Sequence, residues 1–289
     1  MRRSPSYDLR RIESVNLDSY AICPTELVDS LGTASALCVT MKISVVTVTY
    51  NSAETVGATM KSVASQVHSP IEHILIDGAS TDATLAVVQE HGVHVSTVVS
   101  EPDRGIYDAM NKGVGLATGD IIGFLNGDDY YAHDRVLSEI ARAFSDGDVD
   151  AVFGDVAFFR ADRPERLVRR YRSKRFEPNR LSWGWMPPHP ALFVRNEVFR
   201  QVGPFRTDYR IAGDFEWIVR AFSGASIRYR HLPDIMVHMR TGGISTGGWR
   251  NTLQLNREVM RACRDNGLPT NWPKLLSKYP AKVLEFVLP

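Results

Sequence analysis

The segment Ile43-Ser44-Val45-Val46-Thr47-Val48-Thr49 is β-branched at nearly every position and apolar on almost both faces. A strand that faces water on one side alternates apolar with polar, whereas one covered by helices on both sides reads as a near-continuous apolar run. This segment therefore needs parallel neighbours and helices above and below it. The next hundred residues supply them. Residues 51–66 read as a loop entering a helix, with Val56, Met60, Val63 and Ala64 on one face. Residues 71–76 read as a second strand, and Thr81 or Asp82 can cap the helix that runs on through Glu90. A third strand is expected at 93–99, a helix at 105–117 with Ala109, Met110 and Leu116 toward the core, a fourth strand at 120–125 and a helix at 136–144. Strands alternating with helices predict an α/β fold whose mainly parallel sheet is flanked by helices.

The pattern breaks at two places. Residues 1–40 mix charges with Ser, Pro and Thr and sustain no period, so they are expected to be an N-terminal extension, with Met41 as an alternative start. Beyond residue 150 the period changes. A strand is expected at 151–159, with 167–176 pairing to it as a strand. Pro187, Pro188 and Pro190 then interrupt the chain around His189. A short amphipathic helix at 215–222, a loop carrying Gly242, Gly243, Gly247 and Gly248, and a surface helix at 251–266 follow. The expected organisation is 1–40, a first half at 41–150, a smaller second half at 151–248, and a C-terminal helical segment at 249–289.

Charge and cysteine usage narrow the setting. Lys plus Arg is 34 and Asp plus Glu is 33, so no overall basic excess argues for a nucleic-acid partner. Cys23, Cys38 and Cys263 are too scattered for a disulfide framework or a zinc site and read as reduced thiols. No apolar run approaches the ~18 residues that span a bilayer, and the N-terminus lacks the apolar stretch of a signal peptide. A cytoplasmic protein is expected, with any membrane contact peripheral, at the inner face of the plasma membrane. Residues 160–175 hold eight basic side chains, among them Arg169, Arg170, Arg172, Lys174 and Arg175, against Asp162 and Glu165. That run reads either as a solvated face or as a surface for anionic lipid headgroups or a lipid diphosphate, and the mixture of lysines with Leu, Val and Phe at 274–288 could lie in the same interface.

In open α/β sheets ligands bind beyond the carboxyl ends of the strands. The polar residues there are Thr49-Tyr50-Asn51, then Asp77, then Glu101-Pro102-Asp103-Arg104, then Asn126-Gly127-Asp128-Asp129. Carboxylates converging on one crevice are costly unless cations or hydrogen-bond donors meet them. A carboxylate pair after an apolar strand suits a hard divalent cation, Mg2+ or Mn2+, shared with substrate phosphates. The same residues equally suit a turn in which Asp128 or Asp129 caps the next helix. Gly113, Gly115 and Gly119 have the wrong spacing, and the wrong helix-before-strand order, for a dinucleotide loop, and read as a helix end and turn.

Taken together, 41–51, Asp77-Gly78-Ala79-Ser80-Thr81-Asp82, the stretch 102–113 (PDRGIYDAMNKG) and the stretch 119–129 (GDIIGFLNGDD) resemble glycosyltransferase family 2 over roughly residues 41–245. The stretch from 102 to 129 is similar to the bacterial subgroup that builds cell-surface polysaccharides and glycolipids. The resemblance implies a GT-A fold, a Rossmann-like sheet with a smaller acceptor-side region. It also implies inverting transfer from a nucleotide-diphospho-sugar to a saccharide or lipid-linked acceptor. It makes 41–150 the nucleotide-sugar half and 151–248 the acceptor half. Thr49, Tyr50 and Asn51 would hold the nucleotide, Asp77 the base, and Asp103 and Lys112 the ribose or diphosphate. Asp128 matches the last aspartate of the family's D-x-D metal motif. Asn126 replaces the first, and can still offer a carbonyl or bind the ribose. Asp129 would meet substrate or water.

Inverting transfer also needs a general base for the acceptor hydroxyl. In Ile211-Ala212-Gly213-Asp214-Phe215-Glu216-Trp217 the resemblance assigns that role to Asp214, with Glu216 as the alternative; without it, Asp214 reads as a helix cap. His189, after Trp183 and Trp185, would lie near the acceptor, and His238 with Thr241-Gly242-Gly243-Ile244-Ser245 would close on the diphosphate. Two other readings stand beside this one. A sugar-phosphate nucleotidyltransferase should carry a Gly- and Lys/Arg-rich loop after the first strand, where this chain has Asn51-Ser52-Ala53-Glu54. A non-catalytic sugar-nucleotide-binding module would be favoured by loss of both Asp128 and Asp214, and both are present.

Overall fold

The computed structural model describes residues 41–160, 163–225, 227–241 and 248–280, with side chains at all but 163–165. The expected N-terminal extension, Cys23 and Cys38, Gly242 through Gly247, and the tail from 281 lie outside the described residues.

Strand β1 (Ile43–Thr49) is buried at every position, as its two-sided apolar pattern requires. It pairs in parallel with β2 (Ile71–Asp77) on one side and β4 (Ile121–Phe124) on the other, and β3 (Thr97–Ser100) lies beyond β2. Alternate residues of a strand face opposite sides. Accordingly Val46, Val48, Ile74 and Ile76 join α3 (Ile106–Leu116) in one core cluster. Ile43, Val45 and Leu75 face the other side, which α1 (Val56–Ala64), α2 (Thr84–His91) and α4 (Val136–Ser145) cover.

Three sequence expectations shift here. Ala64 and Leu116, both expected in the core, are the last residues of α1 and α3 and lie exposed. Thr59 is buried instead, its hydroxyl donating to the Asp129 carbonyl at 2.7 Å. The third strand starts later than expected, because residues 92–95 form a turn closed by Val95 N–H to the Gly92 carbonyl, and Val93 points into solvent. The glycines at 113 and 119 are packing positions: an added Cβ would stand 2.3 Å from Val46 and 2.6 Å from the Ser44 hydroxyl.

Past β5 (Tyr130–Tyr131) the sheet becomes mixed. β6 (Ala151–Arg160), β7 (Arg163–Tyr171), β8 (Leu192–Arg195) and β9 (Tyr229–Arg240) extend it in the order β3-β2-β1-β4-β8-β6-β9-β5, with β7 paired to β6. β8 is antiparallel to both β4 and β6, whereas β6 and β9 are parallel. Helices α5 (Asn196–Val202), α6 (Gly213–Val219), α7 (Trp249–Asp265) and α8 (Trp272–Leu276) complete the described chain. Phe124, Phe199, Phe205 and Trp217 stack or meet edge to face with centroids 4.4–5.8 Å apart, so one aromatic core serves both halves.

Candidate active site

Register brings the strand ends into line. Thr49 pairs with Asp77 and Asp77 with Ser100, while the Leu125 and Gly127 amides donate to the Val46 and Val48 carbonyls. The segment from Asn126 to Asp129 therefore lies alongside Thr49 and Tyr50. Among the described residues, two non-glycines have positive φ, Asn51 (48°) and Ala79 (61°), one just past each of two neighbouring strand ends. Such conformations cost of order 1–3 kcal/mol and cluster where a ligand site over-determines the backbone.

Asn51 Oδ1 accepts from the Thr81 amide at 2.9 Å, and its own amide donates to the Ser80 hydroxyl at 2.8 Å, which clamps the two loops together. Tyr50 is exposed. A Cβ at Gly78 would stand 2.5 Å from Asp103 Oδ2 and 3.4 Å from the Tyr50 ring, so Gly78 allows both to close on the rim. Asp103 Oδ1 also accepts the Gly105 amide at 2.8 Å. Asp77 is wholly buried, and its carboxylate accepts from the Ser80 amide, the Ser80 hydroxyl and the Ser100 hydroxyl. Lys112 Nζ binds the Pro102 carbonyl at 3.0 Å and Glu101 at 2.9 Å, bracing the loop that carries Asp103.

The end of β4 holds uncompensated polar groups. Thr49 Oγ1 and Asn126 Oδ1 are buried without a hydrogen-bond partner. They flank Gly127, where a Cβ would stand 2.8 Å from Thr49 Oγ1. Asn126 Nδ2 donates to Asp129 Oδ2 at 3.2 Å. Burial, reinforced by the neighbouring Asp128 charge, pushes Asp129 well above the usual carboxylate range. Burial also raises Asp128, against the pull of its own backbone amide and of Arg240. Among the described residues no group of three or more His, Cys, Asp or Glu forms a self-contained metal cluster. A cation shared with substrate phosphates needs only one or two protein carboxylates. The Asp128 carboxylate and the orphaned Asn126 amide oxygen, both hard donors, fit such an ion. Arg240, at the end of β9, acts on the Asp128 charge and joins the candidate site, where the sequence carried no signal for it; His238, two residues earlier, meets the Tyr130 ring edge-on at 5.2 Å. Burial and then His133 lower the His238 imidazole.

Asp214 lies in the first turn of α6. Its Oδ1 accepts from the Phe215 amide at 2.8 Å and from the Tyr107 hydroxyl at 3.2 Å. Tyr107 belongs to the first turn of α3, at the carboxyl edge of the parallel strands, and its single hydroxyl proton is shared between Asp214 and the Ile211 carbonyl, which lies at 2.7 Å. Burial and the Asp214 charge raise the Tyr107 phenol well above its ordinary range, which keeps it a donor. Glu258 of α7 accepts the amides of Arg210, Ile211 and Ala212 at 2.8–3.2 Å and fixes the chain entering α6. A cavity of about 170 Å³ opens beside this junction, lined by Arg104–Asp108 and Thr207–Arg210. His189 is buried, stacked on Phe124 at 4.9 Å and edge-on to Phe205 at 5.7 Å. Burial lowers its imidazole, and the Asp214 charge opposes this. Glu216, the alternative base, is fully buried and bound by Arg220 through Nε at 2.9 and 3.1 Å and Nη2 at 3.0 Å.

A family model described as "Glycosyl transferase family 2" matches residues 44–203. Over 250 residues the chain is 29% identical to a PGL/p-HBAD biosynthesis glycosyltransferase of Mycobacterium bovis, covering 81% of this chain and 92% of that relative. It is 34% identical over 182 residues to an uncharacterized glycosyltransferase of Mycobacterium tuberculosis, covering 62% of this chain and 68% of that relative. Among solved structures, S. aureus TarS 1-349 in complex with UDP superposes with a TM-score of 0.59 at 19% identity, covering 80% of this chain and 67% of that one. This chain spans only 39% of the longer TarS chain. The mannosyltransferase PcManGT of Pyrobaculum calidifontis, in complex with GDP-Man and Mn2+, superposes with a TM-score of 0.55 at 19% identity, covering 84% and 80%. These likenesses establish the GT-A fold.

Proposed function

The chain belongs to glycosyl transferase family 2, and from that premise we propose an inverting, cation-dependent hexosyltransferase-like enzyme. It moves a sugar from a nucleotide-diphospho-sugar to a hydroxyl of a saccharide or lipid-linked acceptor, in cell-surface glycolipid or polysaccharide synthesis. The observation that carries the reading is Asp214, held by Tyr107 at the carboxyl edge of the parallel strands, the edge that also carries the orphaned oxygens of Thr49 and Asn126. A cytoplasmic location belongs to the same proposal. Among the described residues no helix is long and apolar enough to cross a membrane.

In this reading Thr49, Tyr50, Asn51 and Asp103 receive the nucleotide. Asp77 and Lys112 shape its pocket through the loops they brace. Asp128 and Asn126 would hold the divalent cation, which when bound offsets charge on the diphosphate leaving group. Arg240 adds positive charge near the same end, with Asp129 and His238 beside it. Asp214 takes the acceptor proton as the acceptor oxygen bonds to the anomeric carbon. The bond from that carbon to the diphosphate oxygen breaks, and the nucleoside diphosphate leaves with the electron pair. One displacement inverts the anomeric centre. His189 packs behind Asp214 and keeps the acceptor side dry. The two solved structures, which hold UDP, and GDP-Man with Mn2+, support the donor class, and the relative named for PGL/p-HBAD biosynthesis supports glycosyl transfer in a biosynthetic setting.

The experiment is a thermal-shift screen of UDP- and GDP-sugars with Mn2+, followed by NMR of the product's anomeric coupling. A stabilising donor and an inverted product are expected. A retained anomer would overturn the mechanism.

A further inference from the structure

Residues 182–184 pack against helix α8 and its flanks to form one face of the molecule. The Thr270 hydroxyl donates to the Ser182 carbonyl at 2.6 Å, Lys274 Nζ stands 5.5 Å from the Trp183 ring centre, and the Tyr171 and Trp185 rings stack at 6.2 Å. On this face Trp183 is 42% exposed, Trp272 40% and Leu276 48%. In the chain leading to Trp183, Arg172, Lys174, Arg175 and Arg180 are exposed, and Lys274 of α8 is partly so. Across 171–185 and 270–280 the sole carboxylate is Glu177. A chain whose overall charge is only +1 thus concentrates cations where it also exposes indoles and a leucine.

Single exposed apolar side chains are ordinary, but this combination is not. Indole rings settle at the boundary between water and hydrocarbon. Lysines and arginines close to an anionic leaflet each strengthen attachment about fivefold. Past α8 the sequence continues as Ala281-Lys282-Val283-Leu284-Glu285-Phe286-Val287-Leu288-Pro289, an apolar-rich stretch that suits a lipid interface better than a nucleic acid.

We propose that this face docks the protein peripherally on an anionic lipid bilayer, with Trp183, Trp272 and Leu276 at headgroup level and the surrounding cations on the lipid phosphates. The inference rests on the proposed function only for the acceptor: it supplies the surface on which a lipid-linked one would be met.

The test is sedimentation of the full chain with vesicles of phosphatidylcholine alone or with about 30 mol% phosphatidylglycerol. Wild type should bind the anionic vesicles at least ~10-fold more tightly, with a blue shift of tryptophan emission. The pair Lys174→Glu, Arg175→Glu should weaken binding ~25-fold or more. The pair Trp183→Ser, Trp272→Ser should weaken binding and reduce the shift. Equal binding to neutral vesicles, or no response to the charge reversals, overturns the proposal. Anionic binding without a blue shift makes the face a general polyanion patch and overturns it as well. Asp214→Asn protein should bind vesicles as wild type does, so failure of the catalytic reading and failure of this one are distinguishable.

Discussion

The two sides of the crevice are built by different means. On the 41–150 side most site residues stand at a strand end or a few residues beyond it, and parallel register aligns them: Thr49 beside Asp77, Asp77 beside Ser100. On the 151–248 side Asp214 is held by a hydroxyl from α3 and by a loop that α7 caps through Glu258. The first arrangement follows from local backbone, the second from packing. Damage on the first side should therefore be confined to binding and charge, whereas damage on the second should spread through contacts.

The largest expected effect tests the acceptor side. Asp214→Asn should lower turnover by ~10²–10⁴ while calorimetric affinity for the nucleotide sugar survives. Glu216→Gln should do the reverse. Breaking its buried pair with Arg220 should cost about 3 kcal/mol of stability in urea denaturation, with the remaining folded enzyme active. Near-normal turnover of Asp214→Asn together with a dead but stable Glu216→Gln would move the base.

On the other side, Asp128→Ala should lower turnover by ~10²–10³ with an unchanged melting curve in the absence of cation. Wild-type activity that persists in excess chelator would remove the cation from the proposal.

A smaller effect probes the seam between the sides. Tyr107→Phe keeps the ring and removes the hydroxyl that binds Asp214. A hydrogen bond to a charged group of this kind is worth about 1.5–3 kcal/mol, so kcat should fall roughly 10- to 100-fold with donor KM unchanged. In an Asp214→Asn background the same change should do almost nothing further. Equal losses in both backgrounds would mean that Tyr107 supports the fold rather than the base.

The smallest effect contrasts two buried histidines. His73 on β2 lies 2.9 Å from the Thr47 hydroxyl, and burial together with His94 pushes it down to about 3 from an ordinary 6.5. The unfolded chain takes up that proton near the ordinary value, so the folded state loses stability as pH falls below it, by about 2 kcal/mol between pH 7 and 5. His73→Gln should flatten that slope in urea titrations across the interval. His189, whose lowering Asp214 opposes, should contribute less. An unaltered slope in His73→Gln would show that other groups carry the acid sensitivity.

What the sequence determined by itself is what a few neighbouring residues can determine. An apolar run on both faces made β1 a central parallel strand, and alternating periods placed α1 to α4 around it. The order of polar residues after each strand marked the crevice, because strand ends in a parallel sheet share one edge. The family resemblance assigned Lys112 to the ribose or diphosphate and Asp77 to the base without showing their partners, which lie on Glu101 and Pro102 and on Ser80 and Ser100. Tertiary structure alone decided the rest. Tyr107 and Asp214 are 107 residues apart, and Glu258 reaches Ala212 across 46. No periodicity spans such distances. Those contacts exist because burying one aromatic core between the halves fixes where α3, α6 and α7 meet, and a hydroxyl or carboxylate finds its partner only after that packing is set.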